Sequence, residues 1–202
     1  MTRRTLRAEE LCIEAGLLLV PVGGIWLVMS RLGADPLGFG EAIVLLTAVH
    51  FHYAGFAVSI LTGRAGRLLV AGSRSTQRLF QLVAAGVILG VPLVALGITF
   101  SRALEVGAVI LLTTSLLILA VQTIILVVPR VQQRLAQGLL AISAASSIVT
   151  MLLALGYAAG TLVGLQITIP QMILAHGVLN AFGFTLCGLL AWTIAATKDD
   201  SS

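Results

Sequence analysis

Leu104–Val128 reads LEVGAVILLTTSLLILAVQTIILVV, a run in which Glu105 is the single charged residue. A helix of this length reaches about 38 Å, more than the ~30 Å hydrocarbon core of a bilayer. Five further runs of the same kind lie outward from it: Leu11–Ser30, Leu37–Leu61, Leu79–Thr99, Leu135–Leu162 and Ile169–Ala196. Each spans roughly 30 to 42 Å as a helix and so is long enough to cross. Composition agrees. Of 202 residues, 58% are hydrophobic and 10% charged, against about 25% charged in an ordinary soluble domain, and the mean hydropathy is +1.08. A water-soluble globule is excluded, because twelve Lys/Arg, eight Asp/Glu and three His cannot cover a surface of this size. The expected fold is an all-α integral membrane protein, a six-transmembrane-helix bundle forming one domain over residues 1–202.

Punctuation supports the division into spans. Asp35-Pro36 provides an N-cap and first-turn proline for the second span, and Pro129 closes the fourth. Pro21 and Pro92 fall inside spans one and three, where a proline removes a backbone hydrogen bond and is expected to kink the helix. Glu14 interrupts the first apolar run, which also lacks a small-x-small exit, so span one is read as an uncleaved helix.

Placing the N-terminus inside puts Arg3, Arg4, Arg7, Arg64, Arg67, Arg74, Arg78, Arg130, Arg134 and Lys198 on the cytoplasmic side and leaves Arg31 and Arg102 on the other. That asymmetry predicts both ends in the cytoplasm. The net charge of +4 therefore reports orientation, and no nucleic-acid partner is expected. The connection Thr62–Gln77, with Arg64, Arg67 and Arg74 inside it and Arg78 just beyond, is read as an orientation signal in contact with lipid head groups. Cys12 and Cys187 are too few for a disulfide framework and read as packing residues.

All three histidines lie inside spans: His50 and His52 in span two, His176 in span six. Ionisable groups at membrane depth are costly and usually face a bundle interior or a wet cavity. Span two carries Val49-His50-Phe51-His52-Tyr53-Ala54-Gly55-Phe56, and span six carries Ala175-His176-Gly177-Val178-Leu179-Asn180-Ala181-Phe182-Gly183-Phe184. Both spans run in the same direction. Counted from their outer ends, Glu41 lies at roughly 6 Å, His176 at about 10 Å, Asn180 at about 16 Å, and His50, His52 and Tyr53 at about 20 to 24 Å.

Residues i and i+2 of a helix point about 200° apart, so His50 and His52 cannot face one partner unless the helix is locally distorted. Which of them faces His176 and Asn180 is open at this point. Glu14 is expected near the depth of Tyr53, either as the inner end of the site or as an interfacial carboxylate. The Thr113-Thr114-Ser115 and Ser143/Ser146/Ser147/Thr150 clusters read as hydrogen-bonding glue for close helix packing.

The segments His-Phe-His-Tyr-Ala-Gly-Phe and His-Gly-x-x-Asn-Ala-x-Gly-Phe resemble those of the YndJ-like family of bacterial integral membrane proteins. The resemblance implies the bacterial cytoplasmic membrane as location. It also marks His50, His52, Tyr53, His176 and Asn180 as family-type positions. It implies no particular reaction.

From the residues themselves, one reading is an intramembrane enzyme acting on a lipophilic small molecule by isomerisation, cyclisation or hydration. Its catalytic set is His50, His52, Tyr53, His176, Asn180 and Glu41. Imidazoles exchange protons near neutrality, while tyrosine and asparagine hold an oxygen on which charge develops. A second reading is a proton-linked small-solute transporter, for which a homodimer would supply a second bundle. A third joins His50, His52 and His176 as metal ligands with Glu41 as an oxygen donor. No cofactor motif is present, and the absence of HExxH and GxSxG argues against zinc-peptidase and serine-hydrolase chemistry. The expected partners are membrane lipid and the lipophilic small molecule.

Overall fold

The computed structural model of the protein describes residues 7–164 and 166–196, those at 161–163 by backbone alone. The described residues form six long helices and no strand: α1 (Ala8–Arg31), α2 (Gly40–Leu69), α3 (Arg74–Phe100), α4 (Arg102–Arg130), α5 (Arg134–Val163) and α6 (Ile169–Ala196). All six are long and apolar enough to cross a membrane. Each packs against its neighbour in sequence, and α2 also meets α6. α1 and α6 lie outermost, with 17% and 22% of their apolar windows buried against 39–44% in α2–α5. Leu18, Leu174 and Phe182 point outward from them, the arrangement expected where the solvent is lipid.

Helices that alternate in direction bring Ala8 and Ala196 to one end of the bundle. Contacts tie that end together. Arg67 of α2 grips Glu10 of α1 through two hydrogen bonds of 2.9 Å, Arg130 of α4 donates to the Leu68 carbonyl at 2.6 Å, and Arg64 of α2 stacks over Trp192 of α6. We call this the basic end. The Arg67–Glu10 pair is 44% and 37% exposed, and exposed ion pairs contribute about 0–1 kcal/mol. Glu10→Gln should therefore lower stability by less than about 1 kcal/mol, read from thermal unfolding in detergent.

Span boundaries differ from expectation at α2. Asp35 does cap it, but across a turn: its Oδ1 accepts from Gly40 N at 2.8 Å. Pro36–Gly38 form a single tight turn in which Leu37 and Gly38 have φ of 65° and 70°, a conformation a helix cannot contain. The helix starts at Gly40, not Leu37. At its other end it runs on to Leu69, eight residues beyond the expected Leu61, so Arg64 and Arg67 are helical and the connection shrinks to residues 70–73. Charges in the sequence suggested a loop. The chain instead stays helical because α1 and α3 pack there: Gly63 faces the Glu9 carbonyl and Ile13, and Gly66 faces the ring of Phe80. Ser73, accepting from Thr76 N, then caps α3 at Arg74. Ser101, accepting from Leu104 N, caps α4 at Arg102. Pro21 and Pro92 sit within α1 and α3 without ending either helix.

Candidate functional site

Three of the six helices are locally underwound to wider turns. These lie at Phe51–Ala57 in α2, at Thr123–Val127 in α4, and at Ile173–Gly177 and Leu179–Leu186 in α6. Such π-type turns replace i→i−4 hydrogen bonds by i→i−5 bonds, rotate the side chains that follow and often mark functional sites. In α2 the distortion begins immediately after His50. In α6 it covers His176 and Asn180. The two stretches pack against one another.

His176 is held from both sides of its ring. Nδ1 lies 2.9 Å from the Thr150 carbonyl of α5, and since a carbonyl oxygen only accepts, Nδ1 carries the hydrogen. Nε2 is then the lone-pair nitrogen and accepts from Asn180 Nδ2 at 3.0 Å. Asn180 in turn is fixed by Thr150, whose hydroxyl donates to Asn180 Oδ1 at 3.2 Å and also lies 3.1 Å from the Ser147 carbonyl. The result is a closed network that orients a neutral imidazole. Asn180 sits one turn beyond His176 on the same face, as the i, i+4 spacing requires. Its partner helix is α5, and not α2 as the sequence suggests.

His50 has a different situation. Its Nε2 is buried and makes no hydrogen bond, and it stands immediately before the stretch of α2 that packs on α6. An unpartnered buried nitrogen is uncommon, because desolvating a polar group without a hydrogen bond costs on the order of 1–3 kcal/mol. The expected depth offset of about 10 Å between the two histidines is not present. Gly188 of α6 lies against Leu61 of α2, and counting back eleven and twelve residues brings His50 and His176 to within about one turn of each other.

His52 is turned elsewhere. Its Nδ1 donates to the Ala48 carbonyl at 2.8 Å, and its ring covers Gly23 of α1, where an added Cβ would come within 2.7 Å of it. The two histidines of the HxH segment therefore serve separate faces, and His50 is the one within reach of α6. Tyr53 is 38% exposed on the outer surface of α2. Glu41 is exposed in the first turn of α2, nine residues and about 13 Å along the helix from His50. Glu14 is exposed on α1. Because Gly16 packs on Ser59, Glu14 lies about two turns closer to the basic end than Tyr53, which corrects the expected level. Among the described residues no three His, Cys, Asp or Glu side chains gather as a metal site, and His52 and Glu41 are both directed away from the His50–His176 pair.

The hydroxyl stripe of α5 proves to be glue and more. Ser143 donates to the Phe184 carbonyl at 2.7 Å, and Gly183 and Gly188 let α6 settle onto Ser146 and Ser143. One turn further, Thr150 becomes the hub of the His176–Asn180 network. Its signal in the sequence is only its phase with Ser143, Ser146 and Ser147, which does not distinguish a hub from glue. Thr150→Val should cost about 0.6–2 kcal/mol, the range for interhelical hydrogen bonds in membranes. Thr150→Ser should restore it, as measured by unfolding in detergent.

The fold and these contacts define a six-helix membrane protein with two partly buried histidines, His50 and His176, on helices that meet. The sequence matches the model of the family described as "YndJ-like protein" over residues 1–184, and the chain belongs to that family. It is 32% identical over 193 residues to a curated relative, "Uncharacterized membrane protein YndJ" of Bacillus subtilis (strain 168). The match covers 95% of this chain and 34% of the relative, so the chain spans about a third of that protein's length. No solved structure matches.

Proposed function

We propose that this protein carries out acid–base chemistry on a lipophilic small molecule that reaches the bundle interior from the bilayer between α2 and α6. The observation that supports this reading best is the buried, unpartnered Nε2 of His50 beside the stretch where α2 meets α6, the helix that carries an imidazole of fixed orientation. A ring nitrogen free to give or take a proton is what general acid–base catalysis requires. In an isomerisation, His50 takes a proton from one position of the substrate. The electron pair shifts through the conjugated system, and the proton returns at another position. Asn180 serves as donor to the substrate oxygen on which charge accumulates, by releasing His176. His52 supports α2 from the α1 side. The protein works in the bacterial cytoplasmic membrane with both termini inside.

The test is a comparison of lipid extracts from cells producing the wild-type chain, His50→Gln or His176→Gln at equal membrane levels. A compound whose retention changes at constant mass, or whose mass rises by one water, only with the wild type supports the reading. Extracts that do not differ between wild type and both variants overturn it.

A proton-linked transporter is the second reading. It draws support from a cavity of about 30 Å³, displaced from the imidazole pair toward the basic end, with Thr123, Ser143 and Ser147 in its lining. Sealed vesicles with a pH-sensitive dye inside separate the two. Solute-dependent acidification that His50→Gln abolishes favours transport, and its absence favours catalysis.

A further inference from the structure

The cavity at the basic end has a mouth of different chemistry. Arg64 lies between Leu61 and Ala65, two of its lining residues, and its guanidinium stacks over Trp192, a third, with 5.1 Å to the ring centroid. Every neighbouring arginine in contact with another helix is satisfied: Arg67 by Glu10 and Arg130 by the Leu68 carbonyl. Arg7 pairs with Glu9 on its own helix. Arg64 is half-buried and, among the described residues, has no ion pair and no hydrogen bond. A guanidinium partly withdrawn from water without an anion is costly, and its planar fork suits phosphate oxygens. Below it the cavity is lined by Leu116, Leu119, Leu140 and Phe184, with the Ser143 hydroxyl already spent on the Phe184 carbonyl. Ala65, Ala120, Ala144 and Gly188 leave the space open. At about 30 Å³ it holds one or two waters or the end of a chain, and it is far too small for a whole drug-sized ligand.

We infer that Arg64 and this crevice form a binding site for an anionic phospholipid of the leaflet at the basic end, the phosphate on Arg64 and a segment of one acyl chain in the crevice. A charged head above an apolar slot is the shape of an amphiphile. A free phosphate would leave the slot unused. The surrounding excess of Arg67, Arg74, Arg78, Arg130 and Arg134 raises the local concentration of anionic lipid near the surface.

The site is tested by native mass spectrometry of the full chain in mild detergent. The chain is offered palmitoyl-oleoyl phosphatidylglycerol or the phosphatidylcholine of the same chains. The wild type should retain about one phosphatidylglycerol with roughly tenfold preference, as a charge-assisted bond of this kind supplies. Arg64→Gln should reduce it to the level of phosphatidylcholine. Arg64→Lys, which keeps the charge without the stacked fork, should fall between. Ala144→Leu and the milder Ala144→Val, which fill the slot from α5, should weaken both lipids while the melting profile shows the bundle intact. Glycerophosphate at the same concentration should not compete. Equal retention of the two lipids by the wild type, undiminished retention by Arg64→Gln, or displacement by glycerophosphate would each overturn the assignment.

Discussion

Under the proposed acid–base chemistry, His50→Gln is expected to lower turnover by about 10²–10⁴-fold, the usual contribution of a positioned acid–base group. Glutamine keeps the polarity and most of the volume of the imidazole but cannot exchange a proton at neutral pH, so the loss would not be a folding defect. His50 is singled out because its Nε2 is buried and unpartnered, whereas His52 is committed to the Ala48 carbonyl and to Gly23. His52→Gln should accordingly leave most of the activity. The check is the same lipid-extract comparison, followed by conversion of the identified compound with purified protein in vesicles. Full activity in His50→Gln would remove the catalytic reading.

Gly97→Ala should produce the largest loss of stability of any single methyl group added to this chain's α3. Gly97 faces the backbone of Glu105 in α4 so closely that a Cβ would overlap its amide and Cα. A side chain tip can rotate away from such a contact; a helix backbone cannot. The two helices would have to part near the turn that joins them, which costs on the order of 1–3 kcal/mol or more. Gly107→Ala offers the contrast. Nothing lies within 4 Å of its added Cβ, and a helical glycine replaced by alanine gains up to about 1 kcal/mol. Thermal unfolding of both variants in one detergent should move the midpoint in opposite directions.

Much of the architecture is legible in the sequence because its driving force is one-dimensional. Long apolar runs must become helices in lipid, whatever their neighbours, and Leu135–Leu162 and Ile169–Ala196 are recovered almost residue for residue. Boundaries set by tertiary contact are not legible. Arg64 and Arg67 look like a loop until α1 supplies Glu10 and α6 supplies Trp192 as their partners. The site divides the same way. That His176 and Asn180 share a face follows from their four-residue spacing, and the structure joins them by a hydrogen bond. The choice between His50 and His52 depends on widened turns that begin at Phe51, and a regular helical wheel cannot anticipate them. Thr150 was one hydroxyl among several, and only the packing of α5 on α6 makes it the hub.

The proposed chemistry needs His50 and His176 to lie side by side where α2 meets α6. Magic-angle-spinning NMR of the chain labelled with ¹³C,¹⁵N-histidine, in lipid bilayers at neutral pH, addresses it directly, with His52→Gln removing the third set of signals. A through-space cross-peak between the rings of His50 and His176, with the His176 hydrogen on Nδ1, is the result this arrangement requires. Two ring systems that show no mutual contact, or a His176 protonated at Nε2 alone, would contradict it.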